Sequence, residues 1–189
     1  MITAAEVLGF WFGEPPTEQP RVEWFRKDAA FDAVIRSRFG GLIDTALAGG
    51  LQDWDTTAGG ALARIIVLDQ FTRNSFRDTP RAFAGDALAL AAAQALVLRG
   101  EDQALPPRQR GFAYLPYEHA EDRVMQQASM RLFKALADAH PEMADAHLWA
   151  QKHADIIERF GRYPHRNAIL GRPSTAAERA FLAQPGSSF

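Results

Sequence analysis

The segment RFGRYPHRNAILGR, residues 159–172, holds four arginines and one histidine and no carboxylate, in a chain of net charge −2. Guanidinium groups bind carboxylate or phosphate through paired hydrogen bonds. Because the dipeptide Tyr163-Pro164 favours an extended or turn conformation, the segment can direct several polar side chains toward one place. These features predict ligand-binding roles for Arg162, His165, Arg166 and Asn167.

The stretch ALARIIVLDQFTRN, residues 61–74, places polar residues inside a nearly all-apolar helical pattern. A carboxylate buried in such a pattern needs a partner. Arg73 stands four residues after Asp69, which is the spacing of an intrahelical ion pair, and this is the structural interpretation. The functional interpretation assigns a ligand site to Asp69, Gln70, Arg73 and Asn74.

The stretch YLPYEHAEDRVMQQ, residues 114–127, brings three carboxylates close to His119. Glu118, Glu121 and Asp122 have the spacing of one helical face. One interpretation is that acidic residues after a proline occupy the first turn of a helix, where the macrodipole favours negative charge. The other is a general acid/base set or half of a metal site, since crowded carboxylates raise one another's pKa toward the range that acid/base catalysis uses.

A second histidine, His153, lies on the apolar face of a predicted helix that leads into the arginine segment. A histidine in that position more often has a structural role, with its ring hydrogen-bonded in the core, than a role in ligand binding. The catalytic candidates are therefore His119, Glu121, Asp122 and His153. On one helix, His140 and His147 would lie about 10.5 Å apart along the axis, too far to share an ion. We predict no metal and no cofactor.

Composition limits the class of protein. A chain of 189 residues with 47% hydrophobic content predicts one domain over residues 1–189. The balance of 21 basic and 23 acidic residues argues against nucleic acid as a partner. The most apolar stretch, ALALAAAQALVL, is too short to span a bilayer, and no basic region opens the chain. We therefore expect a cytoplasmic protein without a membrane partner.

Helical signals recur along the chain and strand signals do not. Thr3 and Thr175 each begin the capping-box sequence T-A-A-E. About seven helices are predicted: residues 3–13, 28–49, 58–71, 80–98, one around 125–136 after Pro116, 141–161 and 175–183. Residues 99–111 are predicted to form a loop. The fold class is all-α, with helices packed as antiparallel hairpins.

Four of these motifs, in this order, resemble the bacterial domain-of-unknown-function 924 family: LDQFTRN, AFAGDALAL, YLPYEHAED and RFGRYPHRNAILGR. The resemblance implies a tetratricopeptide-repeat-like all-α fold and no established activity. Thr72 and Ala120 stand where the family pattern has proline and serine, so a serine nucleophile is excluded there. The resemblance implies that the following positions carry the characteristic residues of the family: Asp69, Gln70, Arg73, Asn74, Asp86, His119, Glu121, Asp122, His153, Arg162, His165, Arg166 and Asn167.

Three classes of function are open. In the first, which we favour, stacked helices enclose a charged pocket in which Arg73, Arg162 and Arg166 bind a small anionic ligand or a peptide terminus. In the second, the protein is a hydrolase-like acid/base enzyme, in which a histidine transfers the proton and a neighbouring carboxylate orients it. In the third, carboxylates neutralise the arginines in a buried network, and the protein is a structural or protein-interaction module.

Overall fold

Helix boundaries follow the local signals of the sequence. In the computed structural model, which describes residues 2–14, 19–24 and 26–187, Thr3 and Thr175 each form a capping box. The amide of Glu6 donates to Oγ1 of Thr3 over 3.2 Å, and the amide of Thr3 donates to the Glu6 carboxylate over 2.8 Å. Each box satisfies amides that a helix leaves unpaired at its first turn.

All regular structure in those ranges is helical, which confirms the all-α prediction. Eight α-helices occur there, close to the seven expected. They are α1 (Ala4–Phe12), α2 (Ala29–Leu47), α3 (Ala58–Ile66, continued by a π turn at Val67–Phe71 and by Thr72–Ser75), α4 (Asp86–Leu98), α5 (Pro107–His119), α6 (Arg123–Ala139), α7 (Ala144–Phe160) and α8 (Ala176–Leu182). The consecutive helices α5, α6 and α7 pack against one another.

Helix α5 corrects two expectations. Residues 99–111 are not a single loop, because α5 begins at Pro107. Pro116 lies inside α5 and does not start the next helix. A proline inside a helix lacks the N–H that the preceding turn would accept, so it weakens the helix around it. Helix α5 ends one turn later at His119, and Ala120 is extended.

Because α5 ends at His119, the three carboxylates of this region do not share one helical face. Glu118 belongs to the last turn of α5, and Glu121 lies in the connection to α6. Asp122 is the N-cap of α6 and accepts the amide of Met125 over 2.9 Å. The helix-start interpretation therefore holds for Asp122, in the next helix along the chain.

Helix α3 lies in the apolar core and packs against α1, α4 and α5. Residues 60–69 are all buried. The rings of Trp11 and Phe39 contact Phe71 at the end of the π turn, with centroid distances of 5.7 and 4.8 Å. Buried aromatic side chains contribute much of the hydrophobic stabilisation of a core. This packing holds the polar residues at the end of α3 inside the protein.

The π turn interrupts α3 at the position of Asp69. The buried hydroxyl of Thr72 donates to the carbonyls of Leu68 (2.8 Å) and Asp69 (3.1 Å). The start of α4 approaches the turn so closely that a Cβ added at Gly85 would lie 2.0 Å from the Leu68 carbonyl oxygen. π turns are rare and occur frequently at functional sites. Here the turn brings Asp69 near the first residue of α4.

By length and apolar composition alone, residues 80–98 form one candidate membrane span, 33% of it buried within the protein. The segment is not a continuous α-helix, because a 3-10 turn at Pro80–Phe83 precedes α4. The 13 residues of α4 extend about 20 Å, short of the roughly 30 Å of a bilayer core. Ala89, Ala93 and Leu96 pack in the hydrophobic core, so α4 is a core helix.

Candidate functional site

Asp69 is the most deeply buried carboxylate of the site, with 1% of its surface exposed. Oδ1 accepts a hydrogen bond from Nη1 of Arg73 over 3.0 Å and lies 2.7 Å from Nδ1 of His119. Oδ2 accepts from the Gln70 amide over 2.6 Å. Burial alone would raise the pKa of Asp69, but Arg73 and His119 outweigh it and hold the pKa well below its usual range. Asp69 is therefore ionised, and three side chains fix its position.

Two arginines share the carboxylate of Asp86, the first residue of α4. Arg73 binds it with both terminal nitrogens, Nη1 to Oδ1 over 2.9 Å and Nη2 to Oδ2 over 3.1 Å. Arg166 donates from Nη1 to Oδ2 over 3.3 Å. Because Arg73 also binds Asp69, it joins the two carboxylates, whereas Arg166 reaches only one.

The guanidinium of Arg166 is held by aromatic rings. Its Cζ lies 4.5 Å from the ring centroid of Tyr163 and 4.7 Å from that of Phe83. The residue is 6% exposed. Nη1 bonds to Asp86, but within the described ranges neither Nε nor Nη2 has a hydrogen-bond partner, and Nε is fully buried. The edge formed by Nε and Nη2 is therefore unsatisfied by the protein.

Histidines complete a closed circuit of contacts. The ring of His119 lies 6.4 Å from that of His153, and His153 lies 5.6 Å from Tyr163, which packs under Arg166. We call this circuit the polar ring; in order of contact it consists of Asp69, Arg73, Asp86, Arg166, Tyr163, His153 and His119. Its members come from α3, α4, α5, α7 and the segment after α7. The segments that carry the sequence motifs therefore converge at one place.

Glu118 lies against the polar ring and was not among the predicted site residues. Its Oε1 is 3.2 Å from Nδ1 of His153, and the same nitrogen donates to the Trp149 carbonyl over 2.9 Å. Burial, and next the charge of Asp69, raise the pKa of Glu118 to about 8. Burial lowers the pKa of His153 to about 3. At neutral pH the pair therefore consists of a protonated carboxyl group and an uncharged imidazole.

The connection between α7 and α8 is braced by ion pairs outside the ring. Arg162 donates from Nε and Nη2 to the Glu178 carboxylate over 2.7 and 2.9 Å. Glu121 accepts from Arg172 over 2.5 and 2.9 Å and from the amide of Tyr163 over 2.7 Å. The structure thus places Arg162 and Glu121 in contacts that position the segment carrying Arg166.

The remaining predicted residues are not members of the polar ring. Asn74 donates to Asp32 over 2.8 Å, in a separate pairing with α2. Asn167 binds Ser174 over 3.1 Å. The ring of His165 lies 5.6 Å from that of Tyr163, and burial, followed by the charge of Arg166, lowers its pKa to about 4. Asp122 caps α6, and Gln70 touches the ring through Asp69.

The charges of the polar ring are balanced at neutral pH. Asp69 and Asp86 face Arg73 and Arg166. Burial, followed by Arg73, lowers the pKa of His119, so both ring histidines are uncharged. Considering the residues that the structure describes, no group of three or more His, Asp or Glu side chains is arranged to hold a metal ion.

Sequence reasoning left three contributors out of the site: Glu118, Tyr163 and Phe83. Each had a signal. Glu118 is the neighbour of His119, Tyr163 precedes the proline of the arginine segment, and Phe83 lies in the motif that carries Asp86. None of these signals reveals a partner 80 positions away, which is the separation between Asp86 and Arg166.

The fold and the site describe an all-α protein with a polar ring buried at the junction of five segments. The family described as "Bacterial protein of unknown function (DUF924)" matches residues 7–186, and the chain belongs to this family. It is also similar to the solved structure of a protein of unknown function from Agrobacterium tumefaciens, at 40% identity with a TM-score of 0.85, over 95% of this chain and 96% of the other. No curated protein matches the sequence.

Proposed function

We propose that the protein binds a small anionic ligand whose carboxylate, or a similar oxyanion, docks on the Nε and Nη2 edge of Arg166. The observation that carries the proposal is this edge, which has no protein partner among the described residues although the guanidinium is buried. The two N–H groups of such an edge match the two oxygens of a carboxylate. A peptide C-terminus carries the same group and belongs to the same ligand class.

The energetics of Arg166 support this proposal. A buried donor without an acceptor destabilises a fold by about 1–3 kcal/mol, which a bound oxyanion would recover. Burial, and next the positive charge of Arg73, lower the pKa of Arg166. Burial also opposes the charge of Arg73, but Asp69 and Asp86 outweigh it and raise the pKa of Arg73. The carboxylates around Arg73 therefore compensate for the burial of its charge, whereas those around Arg166 do not.

Structural roles are favoured for the other arginines of the region. Arg73, Arg162 and Arg172 each donate at least two hydrogen bonds to carboxylates. A guanidinium bound bidentately by a carboxylate has little capacity left for a ligand. The buried-network interpretation thus applies to these three residues, and the ligand-binding interpretation is concentrated on Arg166.

The proposal includes a small-molecule or peptide partner and a cytoplasmic location. The net charge of −2 supports a partner other than nucleic acid, since general polyanion binding needs an excess of basic residues. The core position of α4 supports a protein without a membrane-spanning segment in that region.

Thermal unfolding in the presence of acetate, succinate, phosphate and a short peptide tests the proposal. A ligand at 100 times its Kd should stabilise the protein by about 2.7 kcal/mol, which raises Tm by about 5–11 °C for a chain of this size. Arg166→Gln should abolish the shift. Arg99→Gln is the matched control, because it breaks an exposed ion pair with Glu101 outside the polar ring, and the shift in Tm should persist in this variant. A wild-type Tm unmoved by every anion, or an equal shift in Arg166→Gln, would contradict the proposal.

A further inference from the structure

We infer that His119 is a general base that acts on the ligand held at Arg166, and that the protein hydrolyses acyl compounds, such as esters, that carry a second carboxylate. The inference rests on the proposed function, because Arg166 binds the charged end of the substrate. Asp69 and His119 supply a chemistry that anion binding alone does not require.

The Asp69–His119 pair has the arrangement of an oriented base. The ionised carboxylate is fixed by Arg73 and Gln70 and accepts from Nδ1 of His119, so the neutral ring carries its lone pair on Nε2. Within the described part of the chain, no hydrogen bond reaches Nε2, and the side chain is 15% exposed. A carboxylate that fixes the tautomer in this way is the orienting group of acyl-transfer enzymes.

The base and the anion-binding edge belong to one circuit. Arg73 bonds to both Asp69 and Asp86, and Asp86 bonds to Arg166, so two carboxylates and one guanidinium connect His119 with Arg166 on one side. His153 and Tyr163 connect them on the other side by ring contacts. A substrate whose carboxylate binds Arg166 is therefore bound at the same circuit of contacts as the base.

Ester hydrolysis at this site needs no reactant other than the ester and water. Nε2 of His119 takes a proton from water while the water oxygen adds to the acyl carbon. The bond from that carbon to the ester oxygen then breaks, and the leaving alcohol takes the proton from the imidazolium. Ester and water are converted into acid and alcohol, and His119 returns to its neutral form.

The groups that surround His119 keep it ready as a base. Asp69 accepts its Nδ1 proton, and its further charged or titratable neighbours include Arg73, Asp86, His153 and His165. Burial and Arg73 lower the pKa of His119, and the attraction of Asp69 only partly offsets them. The activity should therefore be constant near neutral pH and fall in acid, at a pH below 6.5, the ordinary histidine pKa.

Two chromogenic esters provide the test: the mono-p-nitrophenyl ester of succinic acid, which keeps a free carboxylate, and uncharged p-nitrophenyl acetate. For the wild-type protein, kcat/KM should be at least about tenfold higher with the charged ester than with the uncharged ester. This ratio corresponds to one charge-assisted bidentate contact. His119→Gln should lose about 100-fold or more in kcat, the usual contribution of a general base. Asp69→Asn should also lower kcat. His140→Gln, at a partly exposed histidine outside the ring, should leave both rates unchanged.

A second measurement does not depend on folding of the variants. Diethylpyrocarbonate acylates uncharged histidine nitrogens, so wild-type His119 should be modified readily at neutral pH, and succinate should protect it. Mass spectrometry of the peptide that contains His119 measures both effects. An unmodified His119 would overturn the inference.

The outcomes separate this inference from the proposed function. Succinate binding without ester turnover above the buffer rate would refute the general-base role and leave anion binding in place. Turnover that is equal for the two esters and unchanged in Arg166→Gln would refute the carboxylate-bearing substrate class and the proposed anion site. Turnover of the charged ester that disappears in His119→Gln and has a higher KM in Arg166→Gln supports both.

Discussion

Nδ1 of His119 lies 2.7 Å from Oδ1 of Asp69, across 50 positions of sequence. The contact joins the last residue of α5 to the π turn of α3, which packs in the core. Carboxylates are almost never fully buried unless they are paired, and Asp69 is paired with both Arg73 and His119. The partners of Asp69 therefore determine both the stability of this region and its chemistry.

Asp69→Asn should destabilise the protein, because it removes a carboxylate from the buried Arg73 and His119. We expect a loss of about 3 kcal/mol, the lower end for a broken buried ion pair since Asp86 still binds Arg73. Tm should fall by about 6–12 °C in thermal unfolding. Asp138→Asn is the control, because its exposed pair with Lys134 should be worth no more than about 0.5 kcal/mol. Equal melting temperatures of the two variants would contradict the role of Asp69.

Arg73 and Arg166 should respond oppositely to replacement by methionine. Arg73→Met leaves the buried Asp69 without its ion pair and should destabilise the protein by about 3–5 kcal/mol. Arg166→Met removes two donor nitrogens that lack a protein partner, together with one bond to Asp86, which Arg73 still binds. It keeps an apolar side chain between two aromatic rings. Its stability should remain within about 1 kcal/mol of wild type or exceed it. Chemical denaturation measures both, and a large loss in Arg166→Met would favour a purely structural network.

Glu118 should make the protein less stable as pH rises. Its pKa is about 8 in the folded protein against an ordinary value of 4.5, so between these values the folded state holds a proton that the unfolded chain has released. The free energy of unfolding should fall by roughly 3 kcal/mol between about pH 5 and pH 8 from this group.

Glu118→Gln should flatten that dependence, since glutamine resembles the protonated acid in shape. Glu142→Gln, at an exposed glutamate, should leave it unchanged. Urea unfolding at several pH values tests this, and parallel curves for wild type and Glu118→Gln would show that Glu118 is ionised in the fold.

Gly85→Ala should perturb the site from a distance. The new Cβ would lie 2.0 Å from the Leu68 carbonyl oxygen, so α4 must move away from the π turn and carry Asp86 with it. We expect a loss of stability of about 2 kcal/mol or more, as for overpacked cores. Gly41→Ala, in α2 with open space around it, should instead stabilise the protein by about 0.5–1 kcal/mol. A neutral Gly85→Ala would disprove the close approach.

Local signals were sufficient for much of the fold. The capping boxes at Thr3 and Thr175 and the glycine at the end of α7 act within one turn of helix, so their effect is readable from neighbouring residues. Local signals place a helix boundary at Pro116, whereas packing of α5 against α3, α4 and α6 overrides the local preference of one proline.

The site was predictable as a set of residues and not as a set of partners. The motifs indicated Asp69, Arg73, His119 and Arg166, but nothing in their spacing distinguishes an arginine that is already paired from one that is not. Arg162 and Arg166 are four residues apart in one loop; the first binds Glu178 and the second keeps an unsatisfied edge. That difference arises from tertiary packing, which places Glu178 at one and aromatic rings at the other.

The side-chain Nε–H resonance of Arg166, assigned in a 1H–15N spectrum by its absence in Arg166→Lys, reports whether an anion binds at this residue. Titration with succinate should shift this resonance saturably, with the concentration dependence of the thermal stabilisation. The Nε–H resonance of Arg162, already bonded to Glu178, should stay in place. If the Arg166 resonance does not move at succinate concentrations that raise Tm, the anion binds elsewhere and Arg166 is not the anion site.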